Sequence, residues 1–425
     1  MMSRASLYIL IVLILGRIHE IFKVLAPLRP VLLVGGVCVV STLLASSAKR
    51  QPALAHREVR LVLAMGALAF ILLPFGVWPS GSLQYLMRSS WEFVLLVLVI
   101  ALAVDPAAIR GTVMAALTGE GLLGLFTLAS VAPAIAQGHA GMRASASAMF
   151  DSNDVAMMMV LTLPLAALGA VAFRGARRFI AAGVAAICVL ATVATVSRGG
   201  LVGLAVVSAL LVYRLRSVGG RLLIGMVIAL LLAAAPSGYW NRMGTIFSSS
   251  GTDYDERGVA TRVEVWQRGL DLFLRNPVTG VGIGQFENAA GALYGRNGGW
   301  RAAHNSFIQI AVELGILGLV LFIGLLSTSI RSVRQTQRAA SKEPALRDLQ
   351  WIAGAIEIAL YGYVVVGLAL SQAYASILYF LVGVAVALRL EVERRQRSLT
   401  LVHGTPGAFV EQGVPWWRPR PAGAA

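Results

Sequence analysis

The chain has 425 residues, 57% of them hydrophobic and 13% charged, with a mean hydropathy of +0.76. Soluble globular chains are nearer half apolar and about a quarter charged, so an ordinary soluble domain is excluded. The formal charge of +16 invites a nucleic-acid partner, but basic residues gathered in the cytoplasmic loops of a membrane protein give the same surplus.

Apolar segments lie at about 6–25, 31–47, 61–77, 92–107, 111–134, 154–173, 179–196, 200–213, 221–236, 306–328, 350–370 and 373–390. Most approach the roughly 20 residues that cross a hydrocarbon core of ~30 Å. All twelve read as helices, because an open strand would leave backbone groups unpaired in lipid. The first begins like a signal sequence, yet no small-residue cleavage site follows and Arg17, His19 and Glu20 interrupt it. An uncleaved first span is expected. Cys38 and Cys188 lie inside apolar segments and read as small buried side chains.

With the N-terminus inside, the basic connections fall on one side. They hold Lys49, Arg50, Arg57 and Arg60, then Arg110, then Arg174, Arg177 and Arg178, then Arg214, Arg216 and Arg221. Further on come Arg331, Arg334, Arg338, Lys342 and Arg347, and finally Arg394, Arg395 and Arg397. The alternation supports twelve spans with both termini cytoplasmic, and accounts for most of the charge without nucleic acid. The expected organisation is membrane helices over 1–236, an extracytoplasmic loop over 237–303, membrane helices over 304–390, and a basic, Pro/Gly-rich cytoplasmic tail over 391–425.

The long outer loop breaks the charge pattern with Arg242, Arg257, Arg262, Arg268, Arg275, Arg296 and Arg301. Anion binding is the obvious use for them. Within it Val263, Trp266, Leu270, Phe273 and Leu274 share one helical stripe. Pro277 ends that helix and GVGIGQF supplies a glycine-rich turn.

Polar residues against the apolar background mark further candidates. RIHEIFKVLAPLRP gathers Arg17, His19, Glu20, Lys23 and Arg29, either an interfacial cluster that neutralises itself or the floor of a charged substrate pocket. Asp151, Asn153 and Asp154 precede the sixth span; one can cap its helix, and a sugar or headgroup contact would use the cluster. Arg198 of TVSRGG sits in a turn too short to leave the membrane, where an arginine needs an anionic partner. His304 and Asn305 precede the tenth span, Asn305 as a cap and His304 suited to proton transfer. Gln309 and Glu313 follow on the face of Asn305. Glu120, deep in the fifth span, reads either as a helix–helix contact or as part of the same cavity. No close pair of histidines favours a metal, and GVGIGQF lacks the strand and lysine of a nucleotide loop.

The order SRGG, then TRVEVWQRGLDLFLRNPVTGVGIGQF in a long outer loop, then AHNSFIQIAVELGILGLVLF resembles the O-antigen ligase/polymerase superfamily. It is most similar to O-antigen ligases and exosortase-associated O-glycosylation ligases. The resemblance implies an all-α, polytopic, GT-C-like enzyme of the bacterial inner membrane, without a cofactor or metal. It implies transfer of a glycan from an undecaprenyl-diphosphate carrier at the periplasmic face. By motif match, Arg198, Arg262 and His304 become the catalytic candidates, and Pro277, Gly280 and Gly282 match the loop's Pro–x–x–Gly–x–Gly. Arg29, Glu20, Asp154, Asn305 and Trp266 are the substrate-binding candidates. The acceptor stays open between lipid A core, a growing glycan (a polymerase) and a protein hydroxyl. A lipid-glycan transporter is the reading from another class, which the outer loop and its HN element argue against.

Overall fold

The computed structural model describes residues 2–44, 53–136, 151–214, 262–295, 301–342 and 346–402. Among these residues every regular element is helical. The first half comprises α1 (Met2–Leu15), α2 (Ile18–Ile21), α3 (Pro30–Leu44), α4 (Arg57–Ile71), α5 (Pro79–Leu102), α6 (Pro106–Ala136), α7 (Ser152–Ala172), α8 (Ala176–Ala194) and α9 (Arg198–Arg214). Then come α10 (Arg262–Arg275), α11 (Phe286–Tyr294), α12 (Ser306–Lys342), α13 (Arg347–Gly367) and α14 (Ser376–Val402). Among the described residues six helices are long and apolar enough to cross a membrane: Pro79–Leu102, Pro106–Val131, Ser152–Ala172, Ala176–Ala194, Ser306–Ser341 and Asp348–Gly367. The stretches Ser3–Leu15 and Pro30–Leu44 are apolar but shorter. By length and composition this is a multi-pass membrane protein.

Each expected apolar segment falls on a helix except 221–236, which lies outside the described residues. Two boundaries need correction. The first segment is not one helix over 6–25. It stops at Leu15, turns through a left-handed Arg17 (φ 51°), and restarts as the single turn of α2. Gly16 sits where a Cβ would meet the Gly119 carbonyl at 2.9 Å, so α1 and α6 touch backbone to backbone just before the break. The fourth begins at Pro79 rather than 92, because Arg88 and a run of serines mask the apolar face of its first half.

The two ends of the bundle differ in chemistry. At one end the basic connections find acidic partners. Arg4 pairs with Asp105 at 2.6 Å, Arg110 and Arg395 share Asp348, and Arg214 and Arg334 share Glu357. Arg389 reaches the buried Glu58 through both terminal nitrogens, at 2.7 and 3.1 Å. Two hydrogen bonds hold Asp105 below the ordinary carboxylate range although burial opposes the shift. The Ala108 N–H donates one, and the Arg4 guanidinium donates the other.

At the opposite end α12 is broken. Gly315 (φ 68°) leaves the helix, and the Pro277–Gly282 segment enters the gap. The N–H groups of Val281 and Gly282 donate to the carbonyls of Val312 and Glu313, at 2.9 and 3.0 Å, and the Ile316 N–H donates to the Pro277 carbonyl at 2.8 Å. The break frees helical groups, and the loop backbone takes them up. Both sides require glycine. A Cβ at Gly280 (φ 64°) would meet Glu313 O at 2.4 Å, and one at Gly315 would meet Val278 O at 2.4 Å. The Val77 N–H also donates to Val281 O at 2.9 Å, tying the loop to the turn between α4 and α5.

The buried stripe of α10 is Val265, Gly269 and Leu272; of the predicted stripe, Phe273 packs partly buried against the same small core. Val263, Leu270 and Leu274 are exposed. The helix carries two apolar stripes, and Gly269 decides between them: a Cβ there would come within 2.7 Å of Ile308, so this face lies close against α12. Val265, Leu272, Val281, Phe286, Ala303 and Val312 form a small separate core beneath α10 and α11.

Candidate functional site

Helices α7, α9 and α12 all begin at this loop-bearing end. Ser197 caps α9, its hydroxyl accepting the Gly200 N–H at 3.2 Å and donating to Asn153 Oδ1 at 2.7 Å. Asn153 in turn donates to Asp151 at 2.7 Å. The turn around Arg198 is thereby fixed to the start of α7, and Arg198 occupies the first position of α9. Asn305 caps α12, its Oδ1 accepting the N–H groups of Phe307 and Ile308 at 2.9 and 3.1 Å. His304 stands immediately outside that cap.

A second chain of bonds joins these two helix starts. Asp154 Oδ1 accepts the Gln372 side-chain amide at 2.5 Å, and the Gln372 backbone N–H donates to Ser306 Oγ at 3.0 Å. Ser306 then donates to Leu370 O at 2.7 Å. Gly199 lies against Ala369, where a Cβ would be 2.9 Å from that side chain. The turn after α13 is thus wedged between the Arg198 turn and the His304 cap. Asp154 serves this network, and Asp151, at the N-cap of α7, makes no side-chain cap bond. Glu313 accepts from Tyr374 OH at 2.9 Å and from Gln309 at 3.4 Å, deep below the cap.

Among the described residues the non-glycine positions with positive φ are Arg17, Arg29, Val196 and His304. Val196 and His304 belong to the segments just described, Arg17 to the break after α1, and Arg29 immediately precedes α3. Such conformations cost about 1–3 kcal/mol each and collect where function holds them.

Beside this network lies a polar pocket of about 290 Å³, lined by Arg17, His19, Glu20, Arg29, Arg88 and Glu92, with Trp91 and Ser376 completing the wall. Arg17 donates to Glu20 at 2.6 Å. Burial pulls the His19 imidazole below its ordinary range, against the pull of Glu20. Ser376 donates to Glu92 at 3.3 Å. On its other side Glu92 borders an apolar cavity of about 330 Å³ lined by Val62, Met65, Phe93, Ile283, Leu314 and Tyr379.

The Arg198 turn, Asp154 and the His304–Asn305 cap are therefore tied together by hydrogen bonds of Ser197, Asn153, Gln372 and Ser306. Glu20 and Arg29 share the neighbouring pocket. Arg262 and Trp266 lie one turn apart at the start of α10, the helix whose Val265 and Leu272 enter the small core with Ala303. The Trp266 indole N–H is buried without a hydrogen-bond partner among the described residues. Gln372, Arg88, Trp91 and Glu92 escaped the sequence reading. Arg88 and Glu92, four residues apart, carried a usable signal as charges on one face of an apolar helix; a single glutamine in a turn carries none. No group of three or more His, Cys, Asp and Glu side chains among the described residues is placed to hold a metal ion.

Residues 182–323 match the family described as O-Antigen ligase. This match supports the O-antigen ligase/polymerase superfamily for the segment. The ligase segment runs from α8 through the Arg198 turn, α10, the interlocked glycines and the His304 cap to the first half of α12. Together with the apolar helices, it supports an O-antigen ligase/polymerase-type membrane enzyme. Asp154, Gln372 and the whole polar pocket lie outside the O-antigen ligase match. No curated protein matches the chain.

Proposed function

We propose that the protein transfers a glycan from an undecaprenyl-diphosphate carrier to an acceptor hydroxyl at the periplasmic face of a bacterial inner membrane. In this reading the chain has twelve spans, a GT-C-like architecture and both termini in the cytoplasm. The observation that carries it is the meeting of the Arg198 turn and the His304 cap, both inside the O-antigen ligase match, at the starts of adjoining helices.

The donor's lipid tail lies between the spans and its diphosphate sits at the outer boundary. Arg198, at a helix start where backbone N–H groups also point outward, and Arg262, at the start of α10, hold the phosphate oxygens. Their effect is greatest as the anomeric carbon–oxygen bond breaks and the departing diphosphate gains charge. His304 takes the proton of the acceptor hydroxyl as the new bond forms on the opposite face, inverting the anomeric centre. The arginines supply the neutralising charge, so the step calls on no metal. Glu20, Arg29, Asp154, Asn305 and Trp266 position the two substrates. The acceptor is lipid A core, a growing glycan or a protein hydroxyl, and the linkage in the product identifies which.

The test is transfer by purified protein in nanodiscs from a labelled undecaprenyl-diphosphate saccharide to each acceptor in turn. Arg198→Ala, Arg262→Ala and His304→Ala are each expected to lower the rate about 100-fold or more, with the protein still inserted and monodisperse. Near-normal transfer by any of them removes that residue from the chemistry. Passage of the lipid-linked glycan across vesicles with no covalent product replaces the enzyme with a transporter.

A further inference from the structure

The pocket between α2, α3, α5 and α14 lies outside the O-antigen ligase match, and its composition specifies a ligand more narrowly than the transfer reaction does. Arg17 is engaged by Glu20. Arg29 and Arg88 have no carboxylate partner among the described residues, although both line the same space. With three arginines against Glu20 and Glu92, the ionised lining carries one excess positive charge. Three buried polar atoms on these walls lack hydrogen-bond partners among the described residues: His19 Nδ1, Glu20 Oε2 and Glu92 Oε2. Buried polar atoms are paired in the great majority of cases, and unpaired ones in a cavity call for a ligand. An oxyanion alone fits poorly, because it answers the arginines but offers no donor to the two carboxylate oxygens. A neutral polyol answers the carboxylates but leaves the excess charge.

The ligand that satisfies both sets bears a carboxylate together with hydroxyl groups. Trp91 supplies a flat apolar wall for a sugar ring, and Gly35 makes room for it: a Cβ at Gly35 would lie 2.4 Å from the indole. The volume, about 290 Å³, is at the small end of ligand pockets and suits one sugar residue rather than an oligosaccharide. Arg17 and Arg29 are held at φ 51° and 43°, so the wall that presents them is kept in a conformation other residues avoid.

We infer that this pocket binds an acidic sugar residue, its carboxylate held by Arg29 and Arg88, its hydroxyls by Glu20, Glu92 and His19, and its ring face by Trp91. The inference rests on the transferase reading only in assigning that sugar to a glycan substrate. Binding itself is independent of transfer.

The experiment titrates D-glucuronic acid and its methyl ester into the full-length protein in phosphatidylcholine nanodiscs, followed by saturation-transfer NMR and calorimetry. The ester keeps every hydroxyl and loses the charge, so this comparison uses the unaltered protein. Saturable binding of the acid, at least tenfold tighter than the ester, is expected. Arg88→Gln, Arg29→Gln and Trp91→Leu should each weaken it at least tenfold, while His304→Ala leaves it unchanged. Equal binding of acid and ester, or none of either, overturns the inference. So does inorganic phosphate binding as tightly as glucuronate, or displacement of glucuronate by phosphatidylglycerol in the nanodisc, which would make this a headgroup site. A protein that binds glucuronate but transfers no glycan keeps the pocket and loses the transferase; one that transfers glycan but ignores glucuronate does the reverse.

Discussion

Ser306 makes the smallest decisive contribution at the residue scale. Its hydroxyl is fully buried, donates to Leu370 and accepts from Gln372, so one oxygen holds the turn after α13 onto the start of α12. Ser306→Ala leaves both partners unsatisfied and should cost about 1–3 kcal/mol, read as a fall in Tm in detergent. Glu120 presents the opposite case. It is fully buried in α6 and neither carboxylate oxygen has a hydrogen-bond partner among the described residues. Glu120→Leu should therefore raise stability by about 1–3 kcal/mol; a fall in Tm would show that the carboxyl has a use. Asn305, Asp154 and Arg198 were legible in the sequence because polar groups in apolar surroundings need a reason. Gln372 was not, since its role depends on which two helix starts flank its turn, and spacing along the chain says nothing about that.

Elements were legible where one periodicity dominates and misleading where two compete. The α10 pattern contains two apolar stripes, and the sequence rule chose the larger side chains. Packing chose the face with Gly269, because close approach to α12 gains more contact than bulk does. The interlock between Pro277–Gly282 and the broken α12 was visible only as glycines of unknown purpose. Gly315→Ala and Gly280→Ala should each undock the loop. A positive φ alone costs an L residue about 1–3 kcal/mol, and the added Cβ meets backbone that cannot yield. Limited proteolysis within α10 and α11, with the apolar bundle still protected, is the expected readout. Asp271 braces the same two helices, accepting from Tyr294 OH at 2.5 Å and from Arg275 at 2.9 Å. Those hydrogen bonds hold its carboxyl below the ordinary range. Its contribution is complete above the unfolded carboxylate pKa of about 4 and fades as pH falls through the lower folded value. Protection of α10 and α11 should accordingly weaken only below about pH 4, and Tyr294→Phe should bring that loss to higher pH.

For the whole molecule, charge asymmetry was the most readable feature, because it depends on the count of basic residues per connection and not on helix ends. The paired arginines at one end and the site at the other follow that alternation. Span lengths were less readable: α1 stops early at a backbone contact with α6, and α5 starts early behind Arg88, neither of which changes mean hydropathy much. Orientation can be tested by labelling single cysteines in spheroplasts with an impermeant maleimide. The native Cys38 and Cys188 are buried, so the background is low. Arg338→Cys should stay unlabelled and Leu293→Cys should react; the reverse pattern would turn the protein over.

The gap in α12 also sets an order of assembly. Until Pro277–Gly282 arrives, the Val312 and Glu313 carbonyls and the Ile316 amide have no mate, a state that hydrocarbon tolerates poorly. That part of the helix therefore matures only after the preceding loop has docked into the gap. Insertion of this helix and docking of the loop become one event, neither complete without the other's backbone groups.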